Sequence, residues 1–323
     1  MKTFFLKAFI LIFSLSVFLV AAIFLPPKNS KQNMLYTQID KNELLKNTPS
    51  PRIIFVGGSN LAYGMDSKRI KDSLQLNPVN TGIHINIGLK YMLENTLQYI
   101  KPGDVIVLSP EYQQFYGDLA DGGMELFSLV IDVVPQSRNL LDYKQYFKLI
   151  QLIPQFAQSK LQPRFLFLKY PQDTIVGRYD RKAFNQFGDA TLHWKLPTEN
   201  PKPYPAITTS FNKDALQSLI HFRDVVIQKK AKLYITFPGY QSTSYKINIT
   251  QIKQVQQKLK DNHFVLISTP EDFRMPDSLM FDTPYHLTKK GVDLRTGLLI
   301  KNLKNCFKLK WTVEISVQDK YCP

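Results

Sequence analysis

Apolar and polar residues along the chain follow two spacings, one typical of buried strands and one typical of amphipathic helices. Short β-branched or continuously apolar runs bounded by glycine and proline predict strands over residues 52–56, 78–80, 104–109, 231–237 and 264–268. Apolar residues spaced three and four apart predict helices over residues 66–76, 87–100, 215–229, 249–260 and 288–303. Strands that alternate with helices indicate βαβ units, and therefore an α/β fold with a central parallel sheet covered on both faces.

Two stretches depart from this alternation. Residues 115–210 are rich in aromatic residues and proline and contain helical patches at 125–134 and 143–157, so we interpret them as a mainly helical insertion that caps or flanks the active face. Residues 28–51 are polar, which is typical of a tether. The expected organisation is a transmembrane anchor or signal over 1–27, a tether over 28–51, an α/β domain over 52–305 and a C-terminal tail over 306–323.

The N-terminal apolar run predicts the compartment. Residues 8–25 are apolar over about the length that crosses a bilayer, and Lys2 and Lys7 precede them. A cleaved signal peptide is the alternative, although its apolar core is usually shorter and Ala21-Ala22 makes a poor cleavage site. We expect an uncleaved single-pass anchor in the cell membrane, with the N-terminus cytoplasmic and the main domain periplasmic or extracellular.

The net charge and the motifs that the sequence lacks limit the kinds of partner that we expect. The 323 residues carry a net charge of +15, which favours anionic surfaces such as phospholipid or acidic glycans, or only keeps the protein soluble. Zinc-finger spacing, a basic helix with heptads and a ribonucleoprotein signature are all missing from the sequence. We therefore expect no nucleic-acid partner.

The two cysteines lie close to the C-terminus. Cys306 and Cys322 flank residues 307–317, which alternate as a strand does. An oxidising compartment would permit a bridge that fixes the C-terminal tail, and two unpaired thiols are the alternative. Neither cysteine has the spacing of a metal ligand or a nucleophile.

Two distant segments carry the candidate chemistry. Residues 53–60 predict a buried strand that runs into a glycine turn with Ser59, and residues 281–287 place Asp282 and His286 on one loop before a helix. A serine needs a base to become a nucleophile, and the base needs an orienting acid, so these three could form a triad if the segments meet. Taken alone, Ser59 could belong to a plain turn and His286 could be a core histidine. Ser59, Gly82 and residues 109–112 all follow predicted strands, where open α/β sheets bind their ligands.

These motifs resemble the blocks of the SGNH (GDSL-type) hydrolases. Residues 55–61 are similar to the first block, with Gly58 where aspartate usually stands, and residues 80–84 to the second, whose glycine amide serves the oxyanion hole. Residues 282–286 are similar to the last block, which carries the triad aspartate and histidine, although four positions separate the two here instead of three. Residues 103–112 resemble a membrane-anchored bacterial branch that includes the D-alanyl-lipoteichoic-acid transfer protein and relatives of alginate O-acetylation proteins. The resemblance covers roughly residues 52–115 and 230–304.

The resemblance implies an SGNH/flavodoxin-like three-layer fold and an envelope-anchored serine esterase or O-acyltransferase. Its substrate would be acyl groups on a cell-surface glycan or polymer. In that interpretation Ser59 attacks, His286 moves the proton and Asp282 orients it, while the amides of Ser59 and Gly82 hold the oxyanion. The family's third block supplies an asparagine to the oxyanion, but the corresponding loop here offers Glu111 and Tyr112, so Tyr112 or the amide of Asn60 would have to substitute.

A second hypothesis belongs to another class of protein. The missing oxyanion asparagine and the Asp282–His286 spacing favour a catalytically inactive accessory or binding protein that partners a membrane-bound O-acyltransferase. Neither hypothesis needs a cofactor. No metal is expected either, because the other histidines show no ligand spacing: His84, His193, His221 and His263.

Two further polar clusters have open interpretations. Residues 178–181 and 184–189 could line a glycan groove or form a solvated loop. Lys289, Lys290 and Arg295 could hold a phosphate or carboxylate near His286, or form a solvated helix face.

Overall fold

A parallel sheet of four strands organises the structure, a computed structural model that describes residues 1–25, 30–161 and 177–312. Its strands are β1 (Arg52–Gly57), β2 (Asn77–Asn80), β3 (Val105–Ser109) and β4 (Lys232–Ile235). The spatial order is β2-β1-β3-β4, and every neighbouring pair is parallel. The predicted α/β class with a central parallel sheet is confirmed.

Helices cover both faces of this sheet, since β1 and β3 are buried at every position. The α-helices of the described ranges are α1 (Lys2–Ile23), α2 (Thr37–Asn47), α3 (Ser59–Ala62), α4 (Ser67–Leu74), α5 (Leu89–Leu97), α6 (Met124–Ser128), α7 (Tyr143–Gln151), α8 (Ile153–Lys160), α9 (Lys213–Gln228), α10 (Ser242–Ile247), α11 (Ile249–Asp261) and α12 (Lys289–Thr312). Helix α5 packs against α9, and α4 packs against α12. Two short strands, β5 (Tyr240–Gln241) and β6 (Arg274–Met275), pair separately in parallel.

Short helical turns connect these elements. A π-helical turn, Leu129–Val133, follows α6. The 3₁₀ turns are Ser30–Gln32, Met34–Tyr36, Ile85–Ile87, Tyr112–Phe115, Leu119–Asp121, Pro135–Leu140, Arg181–Ala183, Leu192–Lys195, Glu271–Phe273 and Asp277–Leu279. With α6, α7 and α8, the turns between Tyr112 and Leu140 make residues 112–160 mainly helical. The rest of the expected insertion is not mainly helical where the structure describes it, since residues 177–210 contain only the two 3₁₀ turns Arg181–Ala183 and Leu192–Lys195.

The strand order creates a switch point between β1 and β3. From β1 the chain crosses to β2 on one side and then returns to β3 on the other side. Gly57 at the end of β1 is in register with Ser109 at the end of β3, so the loops after both strands start side by side. Ligands of open α/β sheets bind at such a point, outside the carboxyl ends of the strands.

Two predicted strands are wrong. Residues 264–268 form only an isolated bridge, Ile235 with Leu266, in place of a fifth strand. Residues 307–312 continue helix α12, because Leu299, Leu303 and Cys306 extend a buried helical stripe onto the core. Cys322 and the rest of the expected tail, from residue 313 onward, lie outside the described residues.

The stretch interpreted as a tether is largely folded. Helix α2 packs near β2, and its Leu45 is fully buried. Lys41 is also buried, and its ammonium donates to the carbonyls of Asn80 at 2.8 Å and Gly188 at 2.6 Å. Burial lowers the pKa of Lys41 to about 7 although Asp189 and Asp40 oppose the shift. Polar composition suggested a solvated linker because a buried lysine with backbone partners cannot be distinguished from an exposed one by sequence.

Helix α1 is long and apolar enough to span a membrane, with 22 residues and a mean hydropathy of 2.5 over its most apolar window. It is exposed along nearly its whole length and is buried only at Ala22 and Ile23. Helix α1 packs against α8.

A buried ion pair joins the amino ends of β1 and β3. Arg52 donates from Nε to Asp104 Oδ1 at 2.9 Å, and both side chains have no solvent exposure. Arg52 also donates to the carbonyls of Leu45 and of Tyr99, which ties α2 and the end of α5 to the sheet. Because both charges are desolvated, removal of one leaves the other unpaired in the core.

We expect Asp104→Asn to lower the free energy of unfolding by about 3–5 kcal/mol, the usual cost of an unpaired buried charge. The matched control is Asp224→Asn, since Asp224 pairs with Arg223 but its side chain is 51% exposed; it should cost about 1 kcal/mol or less. Urea unfolding of the full chain in detergent measures both. Equal losses in the two variants would contradict the structural role of the Arg52–Asp104 pair.

Candidate active site

The structure brings the two candidate segments together at the switch point. Ser59 begins α3 directly after β1, and Glu111 follows β3. His286 lies in the loop that precedes α12. Ser59, Glu111 and His286 line one cavity of about 480 Å³, a volume that suits a small-molecule or acyl-group site.

The cavity wall combines apolar, aromatic and ionisable side chains. Its lining residues are Asn33, Met34, Leu35, Ser59, His84, Ile85, Glu111, Met124, Glu125, Ser128, Tyr179, Tyr204, Thr283, Tyr285 and His286. Asn33 to Leu35 belong to the stretch interpreted as a tether, and Met124 to Ser128 belong to the helical insertion. The insertion therefore does flank the face on which Ser59 lies.

Close backbone approach explains the glycine before Ser59. Gly58 has extended backbone angles, so its conformation alone does not require glycine. A Cβ atom built there would lie 2.5 Å from Glu111 Oε1. Glycine at this position thus lets the carboxylate of Glu111 lie directly against the turn.

Asp282 contacts His286 in spite of the unusual spacing between them. Asp282 Oδ1 lies 2.7 Å from His286 Nδ1. The turn closes because the His286 amide donates to Thr283 Oγ1 at 3.1 Å and Phe281 donates to the His286 carbonyl at 2.8 Å. Four positions, with Pro284 between, therefore suffice to form the pair.

The charge of Asp282 is well stabilised. Burial alone raises the pKa of Asp282, but the contacts with His286, the hydroxyl of Tyr179 and the charge of Arg178 outweigh it, and the pKa falls below its ordinary value. An ionised carboxylate can only accept hydrogen bonds. We therefore assign the proton of the neutral imidazole to Nδ1, which leaves Nε2 of His286 able to accept a proton.

The ring of His286 is held between aromatic neighbours. Tyr63 stacks on it with the ring centroids 4.3 Å apart and the planes 20° from parallel. The Tyr63 hydroxyl donates to the carbonyl of Arg178 at 2.9 Å, which fixes Tyr63 in turn. His193 lies behind Tyr63, and burial lowers the pKa of His193 to about 4, so it is neutral at physiological pH.

Glu111 occupies the space beside the serine. Its Oε1 accepts from the Asn60 amide at 3.0 Å and lies 3.4 Å from Ser59 Oγ. Among the hydrogen bonds of the described residues, none joins Ser59 to His286. The serine hydroxyl therefore points toward Glu111, although it shares the cavity with the histidine.

A buried arginine supports this arrangement from beneath. Arg295 donates to the carbonyl of Asn60, to Asn60 Oδ1 at 2.9 Å and to Ser109 Oγ at 3.0 Å. Burial lowers the pKa of Arg295 to about 10, and Glu111 opposes the shift, so Arg295 stays charged at neutral pH. The alternatives of a solvated helix face or a direct anion ligand are both wrong for Arg295, which is 1% exposed and bonds to protein groups.

Two of the expected oxyanion residues are engaged elsewhere. The Gly82 amide donates to Asn80 Oδ1 at 3.0 Å, and a Cβ at Gly82 would lie 2.5 Å from the Gly58 carbonyl. The ring of Tyr112 is buried against Phe237 and Tyr240 and is not among the lining side chains. In the structure Gly82 thus serves close packing and Tyr112 serves the core.

The sequence did not predict several residues of the site. Tyr204 and Tyr285 line the cavity and Tyr63 stacks on His286, but none of the three carries a motif that separates it from a core tyrosine. Tyr179 lies in the polar cluster at 178–181, and its contact with Asp282 shows that part of this cluster belongs to the site. Position 63, one helical turn after Ser59, was the available signal for Tyr63.

Comparison with known proteins adds no assignment: no family model matches the chain, and no curated protein matches it significantly.

Substitution of Asp282 tests the assigned tautomer. In the wild type we expect His286 to carry its proton on Nδ1, whereas in Asp282→Asn the amide group can donate to Nδ1 and favours the Nε2–H form. Imidazole ¹⁵N shifts of histidine-labelled protein in detergent measure this. Asp293→Asn is the control, because Asp293 pairs with Lys289 away from the ring; a His286 tautomer that is the same in all three proteins would contradict the assignment.

Proposed function

We propose that this protein is an envelope-anchored, SGNH-like serine esterase or O-acyltransferase that acts on acyl groups of a cell-surface glycan or polymer. The observation that carries the proposal is the Asp282–His286 pair, 2.7 Å apart, whose histidine lines the same cavity as Ser59. The position of this cavity at the carboxyl ends of β1 and β3 supports it further. Helix α1 is the proposed anchor.

In the proposed reaction Ser59 Oγ attacks the acyl carbonyl while His286 Nε2 takes the serine proton. Asp282 remains ionised and stabilises the imidazolium that forms. His286 then gives the proton to the departing alcohol oxygen, and an ester of Ser59 remains. His286 then deprotonates water or a sugar hydroxyl, which attacks the carbonyl of the serine ester, and the same proton passes from His286 to Ser59 Oγ as the bond between the acyl group and the serine breaks. Hydrolysis and transfer therefore share this intermediate.

Stabilisation of the oxyanion is the most demanding part of this reaction for the site. The Asn60 amide is well placed to donate to a developing negative charge, but Glu111 Oε1 now accepts from it. We propose that substrate entry displaces the Glu111 carboxylate from the amide. A carboxylate that kept its place would repel the oxyanion.

The position of Glu111 favours a second candidate function. With a carboxylate beside Ser59 and no hydrogen bond from Ser59 to His286 in the described structure, the cavity could bind an acylated ligand without cleaving it. In that case the chain would be a non-catalytic accessory or binding protein that partners a membrane-bound O-acyltransferase. Reaction at Ser59 distinguishes the two.

Ser59→Ala should abolish labelling of the full chain by a fluorophosphonate probe, because the probe reacts only with an activated serine. Ser210→Ala, at an exposed serine in a loop, is the control and should label as the wild type does. In-gel fluorescence measures the labelling. Equal labelling of Ser59→Ala and wild type, or no labelling of a folded wild type, would overturn the esterase proposal, and the latter would favour the accessory function.

Glu111→Gln should raise the labelling rate by about tenfold, since it removes a negative charge from the oxyanion position; a full oxyanion donor is worth about 10²–10³ in rate. Glu94→Gln removes one charge from α5, outside the cavity, and serves as the control. Time courses at limiting probe measure both rates. A slower reaction of folded Glu111→Gln would show that the carboxylate assists Ser59 instead of obstructing it.

A further inference from the structure

The end of α1 fixes where the folded domain meets a bilayer. A helix of 22 residues is roughly 33 Å long, and the hydrocarbon core of a bilayer is about 30 Å thick. If α1 spans the membrane, its last turn lies at the boundary between acyl chains and headgroups. Ala22 and Ile23 in that turn are buried by the protein, whereas the earlier turns are exposed.

Helix α8 is attached at this boundary. It packs against α1, and the Lys160 ammonium at its end donates to the carbonyl of Leu25 at 2.9 Å. Lys160 also pairs with Asp132 at 2.7 Å, which connects α8 to the rest of the insertion. The insertion therefore reaches the level at which α1 leaves the bilayer.

Helix α7 lies next to α8 and exposes an apolar face. Only Leu152 separates the two helices along the chain. The exposed fractions are 76% for Tyr143, 43% for Tyr146, 64% for Phe147 and 60% for Ile150. These positions are spaced three and four apart, so they form one stripe, while Gln145 and Leu149 bury the opposite face.

This stripe is unusual for the molecule. Outside α1 and its two flanking residues, Met1 and Phe24, the other exposed large apolar side chains of the described residues lie singly on different elements: Tyr179, Leu196, Ile227, Ile247 and Leu294. A contiguous exposed apolar patch marks a surface that is covered in use, whereas scattered ones need no explanation. Tyrosine and phenylalanine on one helical face are also the composition of interfacial helices.

The charged residues beside the stripe do not make it a site for anionic headgroups. The lysines on its flanks are neutralised, because Lys144 pairs with Asp214 and Lys148 pairs with Asp118 at 2.9 Å. Binding through this face would therefore depend on apolar burial and not on anionic headgroups.

We propose that α7 docks its stripe, Tyr143, Tyr146, Phe147 and Ile150, into the interfacial layer of the bilayer leaflet at which α1 ends. The inference rests on the anchoring part of the proposed function and is independent of any reaction at Ser59. A single span leaves a domain free to rotate about its axis, whereas a second contact beside it fixes which way the cavity faces.

Tryptophan substitutions in the full chain, reconstituted at one copy per nanodisc, test the docking. Phe147→Trp reports contact of α7 with lipid, and Phe13→Trp reports contact of the middle of α1 with lipid. Ile227→Trp is the matched control, because Ile227 is also 60% exposed but lies on α9. Emission of each variant, corrected for wild-type tryptophans, is compared between ordinary lipid and lipid brominated near the headgroup end of its chains. For Phe13→Trp, which lies at mid-bilayer depth, the lipid is brominated near the methyl end of its chains.

We expect bromolipid to quench Phe147→Trp about twofold or more relative to Ile227→Trp, since interfacial helices bury about 5–10 Å. The same quenching in zwitterionic and anionic discs would support apolar docking. Quenching at Phe13→Trp with none at Phe147→Trp would overturn the docking but leave the anchor intact. No quenching at Phe13→Trp would overturn both. If two copies per disc were needed to shift Phe147→Trp emission, the stripe would dock a second copy of the chain, and the proposal would fail.

Discussion

The site depends on Asn60, which lies between two buried charges of opposite sign. Arg295 donates to the carbonyl and Oδ1 of Asn60 from below, and Glu111 accepts from its amide and Nδ2 from above. A buried guanidinium is costly unless its donors are satisfied and a negative charge lies near. Oxygens of Asn60 and Ser109 accept from the donors of Arg295, and Glu111 supplies the negative charge. As a result, polar contacts join the ends of β1 and β3 in addition to the hydrogen bonds between the strands.

The same network sets the chemistry of the cavity. Glu111 helps to keep Arg295 charged, but it does so from the place where an acyl-transfer enzyme needs a donor for the oxyanion. Stability and catalysis therefore make opposite demands on one carboxylate. The His286–Asp282 pair has no such conflict, because its contacts with Tyr63 and Tyr179 hold the ring and stabilise the charge together. In the structure the base of the proposed triad is thus already in position, whereas the donor of the oxyanion pocket is still bonded to Glu111.

Prediction from sequence succeeded where a pattern is local and failed where partners are distant. Continuous apolar runs identified β1 and β3, and helical spacing identified α4, α5, α9 and α11. The alternation after Cys306 suggested a strand, but the packing of Leu303 and Cys306 on the core favours helix. Residues 28–51 suggested a tether because their polar side chains were assumed to face water. The ammonium group of Lys41 instead donates to the backbone carbonyls of Asn80 and Gly188, which lie far along the chain.

The sequence by itself determined the α/β class, the apolar N-terminal helix, the location of Ser59 after a strand and that of His286 on the loop before a helix, because these follow from residue spacing within short segments. Only the tertiary structure decided that Asp282 reaches His286, that Glu111 lies against Ser59, and that Gly82 and Tyr112 are engaged in packing. Those outcomes depend on which distant side chains come within hydrogen-bond distance. Strand order and loop conformation set these distances, and residue identity alone does not encode them in any short motif.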